Sequence, residues 1–234
     1  MSDARVVLIT GARKGIGRFL AEHYLAQGDD VVGCSRGEAS VSHDRYAHYR
    51  FDVADDAEAA AGVKAIVAAK GRLDVVINNA GIASMNHFLM TPTSTLERVF
   101  RTNAFGTFVM SREAAKAMVR QKHGRIVNFS TVGVPFRLDG ECVYNASKAA
   151  VEMMTRVMAK ELASFNITVN AVGPTPMGTD LIKNVPAAKI DDLLSRQGIK
   201  RFASFEDVAN VVDFFLSEHS AMITGQVVYL GGVS

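Results

Sequence analysis

Tryptophan is absent from this 234-residue chain, cysteine occurs twice and proline five times. Cys34 and Cys142 form neither a disulfide framework nor a metal-spaced pair, which suits a reducing, cytoplasmic setting. The six histidines are scattered, with no His-x-x-x-His or His/carboxylate cluster, so no metal site is expected. An excess of one charge is also missing. Lys and Arg total 26 against 24 Asp and Glu, giving a net charge of +2, too weak a field to draw the chain to nucleic acid or acidic lipid. No run approaches the roughly 18 apolar residues of a membrane helix. Met1–Arg5 followed by Val6–Thr10 lacks the long apolar stretch and cleavage site of a signal peptide and reads as a buried strand. There is no internal repeat, low-complexity tract or linker.

What the chain does have is 48% hydrophobic residues and a length that suits one large α/β domain over residues 1–234. Short β-branched runs alternate with alanine-rich, helix-prone stretches. Strands are expected at Val6–Thr10, Asp30–Cys34, Tyr49–Val53, Leu73–Asn78, Arg125–Ser130, Ile167–Val172 and Val227–Leu230. Helices are expected near Gly17–Gln27, Asp56–Ala69, Thr93–Asn103, Phe105–Gln121, Asn145–Phe165 and Phe205–Ser217. Repeated βα units imply a Rossmann-type, doubly wound parallel sheet with helices on both faces. Runs such as Val75-Val76-Ile77 are apolar on successive residues, as strands covered on both sides should be. The span between Cys34 and Asp52 leaves little room for a crossover helix. Residues 173–205, broken by Pro174, Pro176, Gly178 and Pro186 before a short helix, read as a substrate lid inserted after a strand.

The first strand runs into Thr10-Gly11-Ala12-Arg13-Lys14-Gly15-Ile16-Gly17 and then a helix. Glycines there permit positive φ and close approach of a ligand, and the helix start offers free N–H groups to a phosphate. Many strand–helix turns need glycine merely to turn, but placement after an apolar N-terminal strand points to a dinucleotide. The second strand ends in Ser35-Arg36 with no acid at its tip, where a carboxylate usually holds the ribose hydroxyl of NAD. With Arg13 and Lys14 nearby, three cations beside one expected phosphate favour NADP/NADPH, although each could be ordinary solvated surface.

Tyr144-Asn145-Ala146-Ser147-Lys148 opens a helical stretch, so Tyr144 and Lys148 share a face. A neighbouring ammonium should lower a tyrosine whose ordinary pKa is about 10. Tyrosine and lysine at this spacing also occur commonly by chance.

Taken together, these motifs resemble the short-chain dehydrogenase/reductase family along nearly the whole chain. Thr10-Gly11-x-x-x-Gly15-Ile16-Gly17 is similar to its glycine motif, Asn78-Asn79-Ala80-Gly81 to its motif after the fourth strand, and Tyr144-x-x-x-Lys148 to its active-site pair. The resemblance implies reduction of a carbonyl to an alcohol, with Tyr144 as proton donor and Lys148 holding the cofactor ribose and lowering the tyrosine pKa. It implies that Asn103 helps hold a water-linked proton path, that Asp52 with neighbouring Val53 meets the adenine, and that Asn79 supports the cofactor through Ala80 and Gly81. Asn79 and Asn103 could instead be structural braces, Asn79 equally so. Pro174 and Thr179 would lie over the nicotinamide, with Met177 a further cofactor-binding position.

Two departures stand out. The family's catalytic serine falls on Thr131, whose hydroxyl donates the same hydrogen bond but whose methyl stiffens χ1. Ser130 should point to the opposite side. Thr175 stands where the family has glycine.

The closest general resemblance is to 3-oxoacyl-(acyl-carrier-protein) reductases, implying an acyl-thioester or related ketone as substrate. A small-molecule ketone or sugar-derived substrate is the competing reading. Carrier-protein docking is doubtful, because Lys122 fits one cationic position but Phe165 occupies another. A silent dinucleotide-binding regulator would require broken Tyr, Lys or Asn positions, and all three are intact. Val134, Phe136, Leu138, Met85, Phe88, Met177 and Leu181 suggest a largely apolar pocket, with Cys142 lining it. Arg137, Asp139, Glu141 and His87 are candidates for a polar contact or simply loop surface. Relatives' homotetramers predict contacts through Phe105–Met118 and Val151–Leu162, which core packing would explain as well.

Overall fold

The structure is a computed structural model that describes residues 4–179 and 185–233. Seven strands form one parallel sheet: β1 (Val6–Thr10), β2 (Asp30–Ser35), β3 (Tyr46–Arg50), β4 (Val75–Asn78), β5 (Gly124–Phe129), β6 (Ile167–Gly173) and β7 (Val227–Tyr229). Their order is β3-β2-β1-β4-β5-β6-β7, every neighbour parallel. The chain reverses its winding between β1 and β4, and in such sheets ligands bind outside the strand C-termini at this point.

Side chains alternate across the sheet, and β1 shows the consequence. Val6 and Leu8 enter a core with helices α2 (Asp56–Lys70), α4 (Gly106–Gln121) and α6 (Cys142–Leu162). Val7 and Ile9 enter the opposite core with α1 (Gly15–Ala26) and α8 (Phe205–Leu216). Both sets are fully buried or nearly so, which is why the strand carries no polar alternation. Shorter helices complete the fold: α3 (Thr93–Phe100), α5 (Gly133–Phe136) and α7 (Ala187–Arg196).

Three differences from the sequence pattern have physical causes. The third strand is Tyr46–Arg50 rather than Tyr49–Val53. As an edge strand it pairs only with β2, from Val31–Tyr46 to Ser35–Arg50, and needs no continuous apolar run. Phe51 and Val53 are buried just beyond it, filling space left by Gly62 and Gly106. A Cβ would lie 2.4 Å from the Phe51 ring at Gly62 and 2.9 Å from Val53 at Gly106. The break expected near Asn103 is a π-helical turn over Arg101–Phe105 that carries α3 into α4. The active-site helix begins at Cys142, three residues earlier than expected. As expected, β2 connects to β3 without a helix. Val41 and Tyr46 pack against the core on that side instead.

Candidate active site

The glycine loop is built from backbone constraints. Gly11 and Gly15 have φ of +69° and +56°, the left-handed region that side chains rarely enter. Gly17 lacks room instead: a Cβ there would lie 2.5 Å from both the Gly11 carbonyl oxygen and Asn79 Nδ2. Asn79 Nδ2 donates to the Thr10 carbonyl at 2.9 Å, and Ala80 N donates to Thr10 Oγ1 at 2.9 Å. The Asn79 amide thus braces the loop, one of the two roles left open by its sequence. Lys14 stands at the N-cap of α1 with no side chain capping it, and the first turn holds no acid. Free N–H groups and the positive end of the helix dipole therefore meet whatever binds there.

A cleft of about 1150 Å³ runs from this turn to the tip of β2. Gly11, Arg13, Lys14, Gly15, Ile16, Ser35, Arg36, Asp52, Val53, Asn79, Ala80, Gly81 and Thr179 all line it. Gly17 lies behind the loop as a packing position. These features fit a nicotinamide dinucleotide: a glycine cradle that a Cβ would fill, an uncapped helix start and cations at the far end. At the β2 tip Ser35 Oγ donates to the Gly37 carbonyl at 3.0 Å, with His48 Nε2 at 3.0 Å. Arg13 packs over Gly37, where a Cβ would lie 2.9 Å from its guanidinium. Arg36 is well exposed, 3.9 Å from the Asp52 carboxylate, whose other oxygen accepts from Ala54 N. Ile82, Ala83, Arg98 and Thr102 also line the cleft. Arg98 and Thr102 belong to α3 and the π turn, and only the fold brings them to the sheet edge.

An adjoining cavity of about 930 Å³ contains Thr131, Tyr144, Lys148, Pro174 and Met177. The Thr131 hydroxyl lies close enough to Tyr144 to lower its pKa, while Thr131 Oγ1 accepts from Gly133 N at 3.2 Å. Ser130 points the other way and donates to the buried Glu152, which also accepts from Tyr229 Oη at 2.6 Å. Lys148 is buried and donates to the Phe129 carbonyl at 2.8 Å. Two successive residues at the end of β5 thus bond two turns of α6, Phe129 with Lys148 and Ser130 with Glu152, and the next, Thr131, faces Tyr144.

Asn103 lies in the π turn, fully buried. Its side chain accepts from Ile82 N at 2.9 Å and donates to the Ile82 carbonyl at 2.9 Å and to Ser147 Oγ at 3.0 Å. Ser147 Oγ in turn donates to the Tyr144 carbonyl at 2.7 Å, so Asn103 ties the loop after β4 to the tyrosine's own turn of helix. Between them sits Gly81, where a Cβ would lie 3.3 Å from Asn103 Oδ1 and 3.5 Å from Lys148 Nζ.

The electrostatics correct one expectation. Burial and the nearby Glu141 carboxylate raise the Tyr144 pKa, offset in part by the Thr131 hydrogen bond, so the phenol is held protonated rather than lowered by Lys148. Burial lowers Lys148 to about 8. The predicted pocket residues divide. Met85, Phe136, Leu138, Met177, Arg137, Asp139 and Glu141 line the cavity. Phe88, His87, Val134 and the exposed Cys142 line a separate hollow on the outer side of α6. Leu181 lies outside the described residues. Helix α7 covers the cavity, with Arg196 Nη2 donating to the Phe136 carbonyl at 2.8 Å and stacking on that ring at 4.7 Å. Among the described residues no cluster of His, Cys, Asp or Glu could hold a metal, and no helix is long and apolar enough to cross a membrane.

A nucleotide cleft at the sheet's switch point, adjoining a cavity lined by a half-buried tyrosine and a buried lysine with a buried asparagine behind them, defines a dinucleotide-dependent oxidoreductase. The family described as enoyl-(acyl carrier protein) reductase matches residues 11–233. The chain is 34% identical to a short-chain type dehydrogenase/reductase of Picea abies, over 97% of this chain and 91% of that protein. It is 30% identical to the 3-oxoacyl-(acyl-carrier-protein) reductase of Escherichia coli strain K12, over 98% and 97%. Among solved structures, a gluconate 5-dehydrogenase from Burkholderia cenocepacia J2315 in complex with NADP and tartrate superposes with a TM-score of 0.93 at 29% identity, over 98% and 94%. The ligand-free aldohexose dehydrogenase of Thermoplasma acidophilum gives 0.89 at 28% identity, over 98% and 94%. The chain belongs to the short-chain dehydrogenase/reductase family.

Proposed function

We propose that this protein reduces a carbonyl group to an alcohol with NADPH, Tyr144 donating the proton. The observation that carries the reading is the meeting of the Thr131 and Tyr144 hydroxyls at the wall of a cavity that adjoins the nucleotide cleft. Bound NADPH supplies the hydride. Two hydroxyl donors converging on one point suit a carbonyl oxygen that gains negative charge as it is reduced. A phenol held protonated by burial is poised to give up its proton only when that charge develops. Lys148, fixed by the Phe129 carbonyl on the cavity wall beside Gly81, would hold the ribose hydroxyls, and Asn103 keeps the tyrosine's turn of helix in place.

The choice of NADPH over NADH rests on the β2 tip. Arg13, Arg36 and Lys14 lie around it, and residues 35–37 include no acid that would repel a 2′-phosphate. The relatives' names make a 3-oxoacyl thioester the first substrate class to test. Lys122 is exposed at the end of α4, but the neighbouring surface presents Phe165 where a second cation would meet an acidic carrier, so a CoA or free thioester suits it better than a carrier protein. A hydroxylated small ketone is the second class, favoured by the carboxyl of Glu141 in the cavity. The free Cys142 thiol and the apolar face of α4 and α6 fit a cytoplasmic homotetramer.

The test is Tyr144→Phe. Turnover should fall by about 10²- to 10⁴-fold, the usual contribution of a general acid, with NADPH binding, followed by its fluorescence, retained. Undiminished turnover in the variant would remove Tyr144 from the chemistry.

A further inference from the structure

Glu141 occupies an unusual position for an acid. It is the N-cap residue of α6, yet its side chain makes no cap hydrogen bond. A carboxylate at a helix start is ordinarily drawn to the free N–H groups there. Here it turns instead against Gly133, where a Cβ would lie 3.0 Å from Glu141 Oε2. Space for it exists because residue 133 has no side chain.

Among the described residues no donor satisfies this carboxyl. The nearest cation, Lys189 of α7, is directed to the Asp139 carbonyl at 3.4 Å. Beside it Asn145 Oδ1, 2.4 Å from the same Gly133 Cβ position, is buried and also without a partner. Asn145 itself lines the hollow on the outer side of α6, so of the two acceptors only Glu141 opens on the cavity. Partial burial lifts the Glu141 carboxyl to about 6, so near neutral pH it is mostly an anion, and the half-buried group opens on the cavity. A half-buried carboxylate with no protein hydrogen-bond donor favours a ligand that brings donors to it.

The location says what kind of ligand. Gly133 N donates to Thr131 Oγ1, and Glu141 lies three residues before Tyr144 and is close enough to raise its pKa. The carboxyl thus lines the same cavity as Thr131 and Tyr144, where the carbons adjoining a bound carbonyl would lie. An acyl chain would press methylenes onto this anion and leave it unpaired. A hydroxyl on a neighbouring carbon would donate to it.

Building on the proposed carbonyl reduction, we infer that Glu141 is a specificity-determining residue that accepts hydrogen bonds from hydroxyls beside the reacting carbon, so that the preferred substrates are hydroxylated carbonyl compounds of the sugar and polyol class rather than plain acyl ketones.

The experiment compares 2-hydroxycyclohexanone with cyclohexanone, and both with acetoacetyl-CoA, by NADPH oxidation in the wild type, Glu141→Gln and Glu141→Ala. The wild type should favour the hydroxyketone over its deoxy partner by at least about tenfold in kcat/KM, the scale of one charged hydrogen bond. Glu141→Ala should collapse that ratio, and Glu141→Gln, which keeps the shape and an acceptor oxygen, should fall between. NADPH fluorescence in each variant confirms a folded nucleotide site. Ketone turnover with no hydroxyl preference, or a ratio unmoved by both variants, overturns this inference and leaves the carbonyl-reductase reading standing. No turnover of any ketone or thioester by the wild type overturns both.

Discussion

Two hydroxyl groups, Thr131 and Tyr144, reach each other because β5 ends one residue before Ser130 and α6 runs back along it. The alternating direction of a strand settles which of the two adjacent hydroxyls faces the cavity. Ser130 is taken by Glu152, leaving Thr131 for the site. Thr131→Ser should keep turnover within a few-fold of the wild type, since the donor remains, whereas Thr131→Val should lose about 10²-fold or more as an oxyanion donor disappears. Steady-state NADPH oxidation measures both, and an active Thr131→Val protein would exclude the hydroxyl from the reaction. Lys148 adds a pH dependence. Burial lowers it to about 8 from 10.5, so its ammonium is intact at pH 7 and is lost as pH rises through about 8. NADPH affinity, if held by that ammonium, should be flat from pH 6 to 7 and weaken above about 8. A fluorescence titration that stays flat to pH 9.5 would contradict the role. At this scale the Tyr-x-x-x-Lys spacing and the Ser130/Thr131 choice were legible in the sequence. The raised tyrosine pKa was not, because it depends on burial and on where Glu141 turns, neither of which spacing encodes.

Elements follow local rules where their ends are capped and depart from them where a neighbour fills a gap. Asp55 caps α2 by accepting from Ala57 N and Glu58 N, and Ser204 with Asp207 forms a capping box on α8. Asp55→Ala should cost about 1 kcal/mol, the usual worth of an N-cap, and lower Tm by about 2–4 °C in a domain of this size. Calorimetry on the variant checks it, and an unchanged Tm would mean the cap contributes nothing. At β2, the loop that replaces a crossover helix leaves Ser35 and Arg36 facing the cleft. Arg36→Asp should lower kcat/KM for NADPH and raise it for NADH, reversing the preference. An unaltered ratio would place selectivity on Arg13 and Lys14. The βα alternation, glycine loop and missing crossover helix could all be read from residue pattern. The register of β3 could not: Phe51 and Val53 look like strand residues, and only the gaps at Gly62 and Gly106 explain their burial outside one.

For the whole molecule, the parallel sheet gathers its loops at one edge, so residues as far apart in sequence as Gly11 and Thr179 share a cleft. The apolar stretches of α4 and α6 divide between core and surface. Met110, Ala114 and Val151 are buried, while Phe108, Met153 and Val157 remain exposed, with Arg112 over the Phe108 ring. On the proposed tetramer these exposed groups meet a second copy. Phe108→Asp should shift the sedimentation coefficient toward monomer, and an oligomer of unchanged mass would remove this face from the contact. Sequence alone left core and contact indistinguishable there, since both demand apolar residues at helical spacing.

Cofactor oxidation by the purified protein, with NADPH and NADH each supplied against ketones and acetoacetyl-CoA, is the most direct measurement. NADPH-selective carbonyl reduction that vanishes in Tyr144→Phe is the predicted result. Equal or better turnover with NADH would contradict the reading of Arg13, Lys14 and Arg36, and carbonyl reduction that survives Tyr144→Phe would contradict the mechanism itself.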